Sequence, residues 1–403
     1  MLNYTDALGK RKTKWIKTGL AVKGNKKKAE AILMEARRNF NPEEPKVMNG
    51  DIMFADFMEQ WLDIIKSSVA VPTFASYSTS VKRIIAPYFR EKEITLKNLT
   101  AKDIQEFYLK ELERVSASSV IHYHANIHKA LKYAVKIDLI EVNPADKVER
   151  PKKDRFVGSF YDADEVNALF EASKGSKLEL PILFGAFYGL RRSEAIGLKW
   201  DAIDFEHDTI TIRHTVTSCD LDGKRILVAS DTTKTKSSMR TLPLVPFVKE
   251  QLLALRKEQK ENRRLCGRSY NKEYLNYVCV NEIGDLIKPH YVTESFPKLL
   301  KANGFRPIRF HDLRHTAATN MHQLTGDFYT VGEILGHTLK GIGMSLGIST
   351  NLEAVTAQYV NVRLERKRAV LETYHKALHP QKPTPDKGRE PKKAKKKSSE
   401  MEL

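Results

Sequence analysis

Apolar residues recur at two different periods along this 403-residue chain, and the change of period divides it. From about Asp51 to Pro151 the helical period dominates. In FADFMEQWLDII, Phe54, Phe57, Met58, Trp61 and Ile65 fall at i, i+3, i+4 spacing and define one face of an amphipathic helix. Pro72 and Thr73 open a second helix through TFASYSTSVKRII. Thr100 and Asp103 have the spacing of a capping box for AKDIQEFYLKELERV, and Ser118 or Ser119 starts VIHYHANIHKALKYAVKI. This unit reads as four or five helices without strands.

From about Phe156 to Leu378 the pattern is mixed. Asp162 and Glu165 form a second capping box. LPILFGAFYGL is apolar on every side and is expected to be buried. Alternating runs follow: DTITIRHTVT, a turn at DLDGK, RILVAS, a turn at DTTKTKSS, and MRTLPL. They predict a small three-stranded antiparallel sheet. Helices resume at VKEQLLALRKEQKEN, and a last helical pattern spans about Leu352 to Leu378. Ahead of both units, GKRKTKWIKTGL alternates like a strand around Trp15 and Ile16, and KKKAEAILMEARRNF reads as a short helix. NPEEPKVMNGD and the basic NPADKVERPKKDR read as linkers. The end of the chain is rich in Pro and Lys, has no core-forming residues, and is expected to be disordered. The resulting division is 1–45, 51–150, 156–378 and 379–403. The fold class is mixed and mainly α, a helical domain followed by an α+β domain.

Charge changes the picture. The chain carries 68 Lys and Arg against 50 Asp and Glu, a formal +18, spread well beyond one tail. A polyanion is the natural partner, nucleic acid foremost. There is no apolar run of transmembrane length and no signal peptide, which points to the cytoplasm and away from membranes. Three scattered cysteines, Cys219, Cys266 and Cys279, with no CxxC pair, fit a reducing compartment and argue against a cysteine metal site. Ile121 to Lys136 carries His122, His124, His128, Lys129, Lys132 and Lys136. His124 and His128 have zinc spacing but no third ligand, so a basic face turned to DNA or to water is the better reading.

The densest chemistry lies in RFHDLRHTAATN, which sets His311, Arg314 and His315 within five residues ahead of a helix. Three readings are open: a zinc helix, a phosphate site with a proton-handling His, or a solvated turn. HDLRH differs from the HExxH of zinc proteases by one methylene, but Arg314 would set a fixed positive charge beside the dication. Other groups join them. Arg191 follows the buried LPILFGAFYGL run, with Glu194 three residues on to orient a basic neighbour. Lys234 and Lys236 occupy a turn, His337 sits beside a glycine at a helix end, and Tyr359 lies on an amphipathic pattern. Asp312 is expected to cap its helix, His315 to be structural or a phosphate neighbour, Trp200 to be core, and His214 to lie on a strand face.

In this order the motifs GLRRSE, the turn KT, HDLRH, LGH and a late Tyr resemble the tyrosine recombinase (phage integrase) family, most of all integrases of conjugative transposons. The resemblance spans nearly the whole chain. It implies a core-binding domain at 51–150, a catalytic domain at 156–378 and a basic arm-DNA-binding region at 1–45 containing Lys12 and Lys14. It implies that Arg191 and Arg314 clamp a scissile DNA phosphate, that Lys234 protonates the leaving 5′ oxygen, with Lys236 close enough to compete, and that His311 and His337 assist. Tyr359 would attack to give a 3′-phosphotyrosyl intermediate; Tyr374 is the next candidate. Lys129, Lys132 and Lys136 would contact the DNA backbone. No cofactor and no metal is expected. The implied partners are double-stranded DNA, a homotetramer on DNA, an excisionase and a host DNA-bending factor. The amphipathic segment after Tyr359, with Val360, Leu364, Leu371 and Leu378, is expected to dock on a neighbouring subunit. A type IB topoisomerase and a DNA-binding protein without chemistry are the alternatives.

Overall fold

The computed structural model describes residues 1–5, 11–20, 24–38, 50–153, 159–231, 239–336 and 363–379. The chain forms two compact units, Met1–Asp154 and Arg155–Leu403.

The first unit begins with strands β1 (Leu2–Thr5) and β2 (Arg11–Lys14), antiparallel with Leu2 opposite Lys14, followed by helix α1 (Lys26–Arg38). Its core is helical. Helix α2 (Phe54–Ile65) buries Phe54, Phe57, Met58, Trp61 and Leu62, so Leu62 takes the place the spacing gave to Ile65. Helix α3 (Val71–Ser80) runs into a π turn at Val81–Ile85 and then α4 (Ala86–Glu91). Pro87 explains the break, because it has no N–H to continue the ladder. Helix α5 (Ala101–Leu112) starts on the expected box: the Asp103 amide donates to Thr100 Oγ1 at 3.3 Å, and the Thr100 amide to Asp103 Oδ2 at 2.8 Å. Helix α6 (Ala117–Lys136) starts after Ser116, slightly ahead of the expected serines. Phe54, Phe89 and Phe107 pack together, with centroids 4.8 and 5.4 Å apart along the series.

The second unit opens with α7 (Ala163–Ser173), capped reciprocally by Asp162 and Glu165. Helix α8 (Glu179–Ala186) buries six consecutive residues from Pro181, as its continuous apolar run requires. Helix α9 (Arg192–Gly197), strands β3 (Ile203–Asp204), β4 (Thr209–Ile212), β5 (Thr215–Leu221), β6 (Lys224–Ser230) and β7 (Arg240–Pro243), and helices α10 (Pro246–Cys266), α11 (Pro289–Ala302), α12 (Asp312–Thr325), α13 (Phe328–Leu335) and α14 (Leu364–Leu378) complete the described part.

The three-stranded antiparallel sheet is present with a different membership. Its order is β3–β4–β7, with Ile203 opposite Ile210 and Ile210 opposite Leu242. The run DTITIRHTVT is two strands, not one. It breaks at Arg213–His214, and its second half pairs only with β6, across an Asp222–Gly223 turn in which both residues have positive φ. The break follows from His214. That residue is a buried link: its Nδ1 lies 2.5 Å from Asp231 Oδ1 and its Nε2 lies 2.9 Å from Tyr277 Oη. Trp200 is half-buried against the core and donates Nε1–H to Gln259 at 3.0 Å.

The last helix corrects the expected docking on a neighbour. Val370, Leu371, Tyr374 and Leu378 are buried against this unit's own α7, α12, α13 and β7. Of the expected stripe, Leu371 and Leu378 face the core, Leu364 is half-buried, and Val360 lies outside the described residues. Lys367 and Arg366 add ion pairs to Glu333 at 3.5 Å and Asp327 at 2.5 Å, tying α14 to α13 and its cap. Because the apolar face closes an internal core, Leu371→Ala should lower the chain's stability by about 2–5 kcal/mol. Chemical denaturation at two protein concentrations would check this; the loss should be independent of concentration, whereas docking between subunits would make it concentration-dependent.

Candidate active site

The site grows from the end of α8. Gly189 turns the chain with φ +64°, and a Cβ there would overlap the Leu335 side chain. The turn places Arg191 at the N-cap of α9, a few residues after the buried apolar run of α8. Glu194, 2% exposed, folds back on it: Oε2 accepts the Arg191 amide at 3.0 Å and Oε1 accepts Arg191 Nη1 at 2.7 Å. The Arg191 side chain is 34% exposed, so one face stays open to solvent.

Two further guanidinium groups converge. From β7, Arg240 donates Nη2–H to Glu194 Oε2 at 2.9 Å, Nη1–H to Oε1 at 3.4 Å and Nε–H to the Ile334 carbonyl at 2.6 Å. From α12, Arg314 donates to the carbonyls of Gly189 and Leu335, both at 2.6 Å. The last turn of α13 thus presents its carbonyl end, with about half a negative charge, to two buried arginines. Gly336 closes that helix with φ +65°.

The electrostatics follow from this crowding. Burial alone would raise the Glu194 carboxyl. The Arg240 charge and hydrogen bond, then the charges of Arg191 and Arg314, hold it down at about 2. Burial, then the like charges of Arg191 and Arg240, push Arg314 below its ordinary value, although a guanidinium stays protonated at neutral pH. Among the described residues three guanidinium groups, Arg191, Arg240 and Arg314, thus act on one buried carboxylate. An arrangement of this kind is completed by an anion with several acceptor oxygens.

His311 stands just ahead of α12, its ring 5.5 Å from that of His315. The residue is exposed, yet desolvation by the protein around the ring, then the charges of His315 and Arg314, push its imidazole down to about 4. It is neutral at working pH and free to accept a proton. His315 is also lowered, by burial first. Asp312 does not cap α12. It is the helix's first residue and faces backward, where Oδ2 accepts the Arg309 amide at 2.8 Å and Oδ1 accepts Arg309 Nη2 at 2.7 Å. Among the described residues no three His, Cys, Asp or Glu cluster as metal ligands. In the first unit His124 bonds Tyr108 at 2.8 Å and His128 bonds Asp146 at 2.8 Å.

Two family models match the chain. One is the phage integrase family, over residues 159–342, and the other is the phage integrase N-terminal SAM-like domain, over residues 53–112. The chain belongs to the phage integrase family, the tyrosine recombinases. This integrase is therefore an enzyme of the class that cleaves and rejoins DNA strands. It is 28% identical over 344 residues to a XerC-like tyrosine recombinase of Caldanaerobacter subterraneus subsp. tengcongensis, covering 80% of this chain and 83% of that one. It is 24% identical over 318 residues to the ICEBs1 integrase of Bacillus subtilis, covering 76% and 82%. Its fold is similar to that of the Tn1549 transposon integrase solved with a circular intermediate DNA (TM-score 0.60, 16% identity, 76% of this chain and 98% of that one). It is also similar to a lambda integrase tetramer bound to a Holliday junction (TM-score 0.52, 17% identity, 83% and 92%).

The integrase brings Arg191, Arg314 and His311 of the sequence-derived set to one region. Lys234, Lys236, His337 and Tyr359 lie outside the described residues. Tyr374 is a core residue: fully buried, stacked on Phe187 at 5.6 Å, its hydroxyl donating to the Ala186 carbonyl at 3.1 Å. Burial pushes that hydroxyl up, the wrong direction for a nucleophile. Lys129, Lys132 and Lys136 are exposed on α6, with Lys129 donating to Tyr77 Oη at 2.6 Å. Lys12 and Lys14 lie on β2. Arg240 was missed by motif reasoning, yet a signal exists: it takes an inward position in a strand whose next inward residue is Leu242.

Both perturbed groups predict acid lability. His311, ordinarily near 6.5 and here about 4, binds its proton first in the unfolded chain, so stability falls as pH drops from 6.5 toward 4. Glu194, ordinarily near 4.5 and here about 2, contributes stability that is present above 4.5 and lost toward 2. Melting temperature should therefore decline first in the upper window. His311→Gln should lessen that decline, which the other lowered histidines, His315 among them, keep in part, and should leave the lower one unchanged.

Proposed function

We propose that this integrase is a site-specific recombinase that integrates and excises a mobile element through a 3′-phosphotyrosyl intermediate and a Holliday junction. The observation that carries the reading is the convergence of Arg191, Arg240 and Arg314 on Glu194, a concentration of positive charge that suits a phosphodiester and suits its transition state better. In this reading Arg191 and Arg314 hold the non-bridging oxygens. Tyr359 Oη attacks phosphorus while the P–O5′ bond breaks. Neutral His311 takes the tyrosine proton, Lys234 gives one to the leaving 5′ oxygen, with Lys236 as its rival, and His337 hydrogen-bonds the phosphate. The phosphotyrosine conserves the bond's energy, so religation needs only return of the 5′ hydroxyl and no nucleotide cofactor. The burial of Tyr374 favours Tyr359 as nucleophile.

The division of labour is proposed as arm-DNA binding by 1–45, core DNA binding by 51–150 and catalysis by 156–378. The chain acts on double-stranded DNA as a homotetramer, with an excisionase and a host bending factor as partners, in the cytoplasm at the nucleoid. No helix among the described residues is long and apolar enough to cross a membrane.

The test uses a nicked duplex taken from the DNA bordering this chain's own gene, so that cleavage releases a short strand and traps the protein. A covalent protein–DNA band should form with chelator present, vanish in Tyr359→Phe and survive in Tyr374→Phe. A band lost in Tyr374→Phe alone would move the nucleophile; tight binding with no band would leave a DNA-binding protein without chemistry. On the same duplex, alanine at Lys132 or Lys136 should weaken binding about uniformly across sequences and reduce the slope of log affinity against log salt by about one. A changed sequence preference would mean that these lysines touch bases.

A further inference from the structure

We propose that Arg240 is a positioning residue of strand cleavage: by holding Glu194 against the last turn of α13, it fixes the Arg191 guanidinium at the scissile phosphate. The inference rests on the reading of this pocket as the phosphate site.

The geometry is specific. Among the described residues the Arg191 guanidinium is held by Glu194 alone, at 2.7 Å. Glu194 in turn is gripped on both oxygens by Arg240, at 2.9 and 3.4 Å, with the two side chains 2% and 3% exposed. The third contact of Arg240, 2.6 Å to the Ile334 carbonyl, reaches another element. Its neighbour carbonyl, Leu335, receives Arg314. One guanidinium therefore sets the spacing between the carboxylate that aims Arg191 and the helix end that seats Arg314. Arg240 is too buried to meet substrate itself, which distinguishes it from the two clamp arginines.

Among the described residues the charged groups acting on Glu194 are Arg240 from β7, Arg191 from the start of its own helix and Arg314 from α12, and Arg240 is the strongest of them. Without its charge, burial drives the carboxyl upward. As pH falls through that raised value Glu194 gains a proton, and Arg191 loses its anchor.

The experiment is the rate of covalent-complex formation on the nicked duplex at saturating protein, from about pH 5 to about pH 7.5, each variant expressed relative to the native chain. Arg240→Met should lose activity toward acid, approaching tenfold per pH unit below the raised value. Arg240→Lys should follow the native profile. Arg240→Met combined with Glu194→Gln should be slow at every pH but flat, because the titrating group is gone. Arg240→Gln, which keeps donors for the Ile334 carbonyl, carries the same expectation as Arg240→Met where the latter fails to fold. A uniform loss in Arg240→Met with the native pH profile would reduce Arg240 to a packing role and overturn the proposal. So would an acid loss that persists in the double variant, or a double variant as fast as the native chain. Absence of a covalent complex with the native chain at every pH would instead overturn the recombinase reading.

Discussion

The candidate site in the second unit is organised around one buried carboxylate. Glu194 accepts from the Arg191 amide and guanidinium and from both terminal nitrogens of Arg240. An ionised carboxylate at this depth is tolerable only because cations surround it, and the cations are tolerable only because it is there. Among the described residues three guanidinium groups meet this one carboxylate. In the proposed reading that concentration of positive charge is the functional feature. A pocket that already satisfied its own charges would have no electrostatic reason to take up a phosphodiester, and none to favour the more highly charged state reached during reaction.

The second constraint is mechanical. The charged side chains come from α9, β7 and α12, which are distant in sequence, and what brings them together is the end of α13. Its last carbonyls, Ile334 and Leu335, accept from Arg240 and Arg314. Helix α14 lies across α12, α13, β7 and α7, so β7 and α12, which bear Arg240 and Arg314, pack under one helix. The apolar interior aims the charges: α8 is buried from Pro181 to its end, and the Gly189 turn delivers Arg191 from it.

Most of the architecture was legible because it rests on local signals. Capping boxes at Thr100 and Asp162 and the periodicity of α2 are properties of a few adjacent residues, and the structure keeps them. What failed depended on distant partners. The run from Asp208 to Thr217 reads as one strand, and only contact with Asp231 and Tyr277 buries His214 and breaks it. The apolar stripe of α14 is plain in the sequence, but a stripe does not say whose core it completes. The site divides in the same way. Arg191, His311 and Arg314 sit in recognisable motifs, whereas Arg240 has meaning only through residues more than forty positions away.

The packing of α14 against its own unit also sets a length scale. Tyr359 precedes Leu364 by five residues, and five residues span at most about 18 Å when fully extended. Since Leu364 begins a helix fastened by Leu371, Tyr374 and two ion pairs, that bound is measured from a fixed point in the packed unit. In the proposed reading, with Tyr359 as nucleophile, the phosphate it attacks must therefore lie within that reach of the start of α14, extended by the length of one tyrosine side chain.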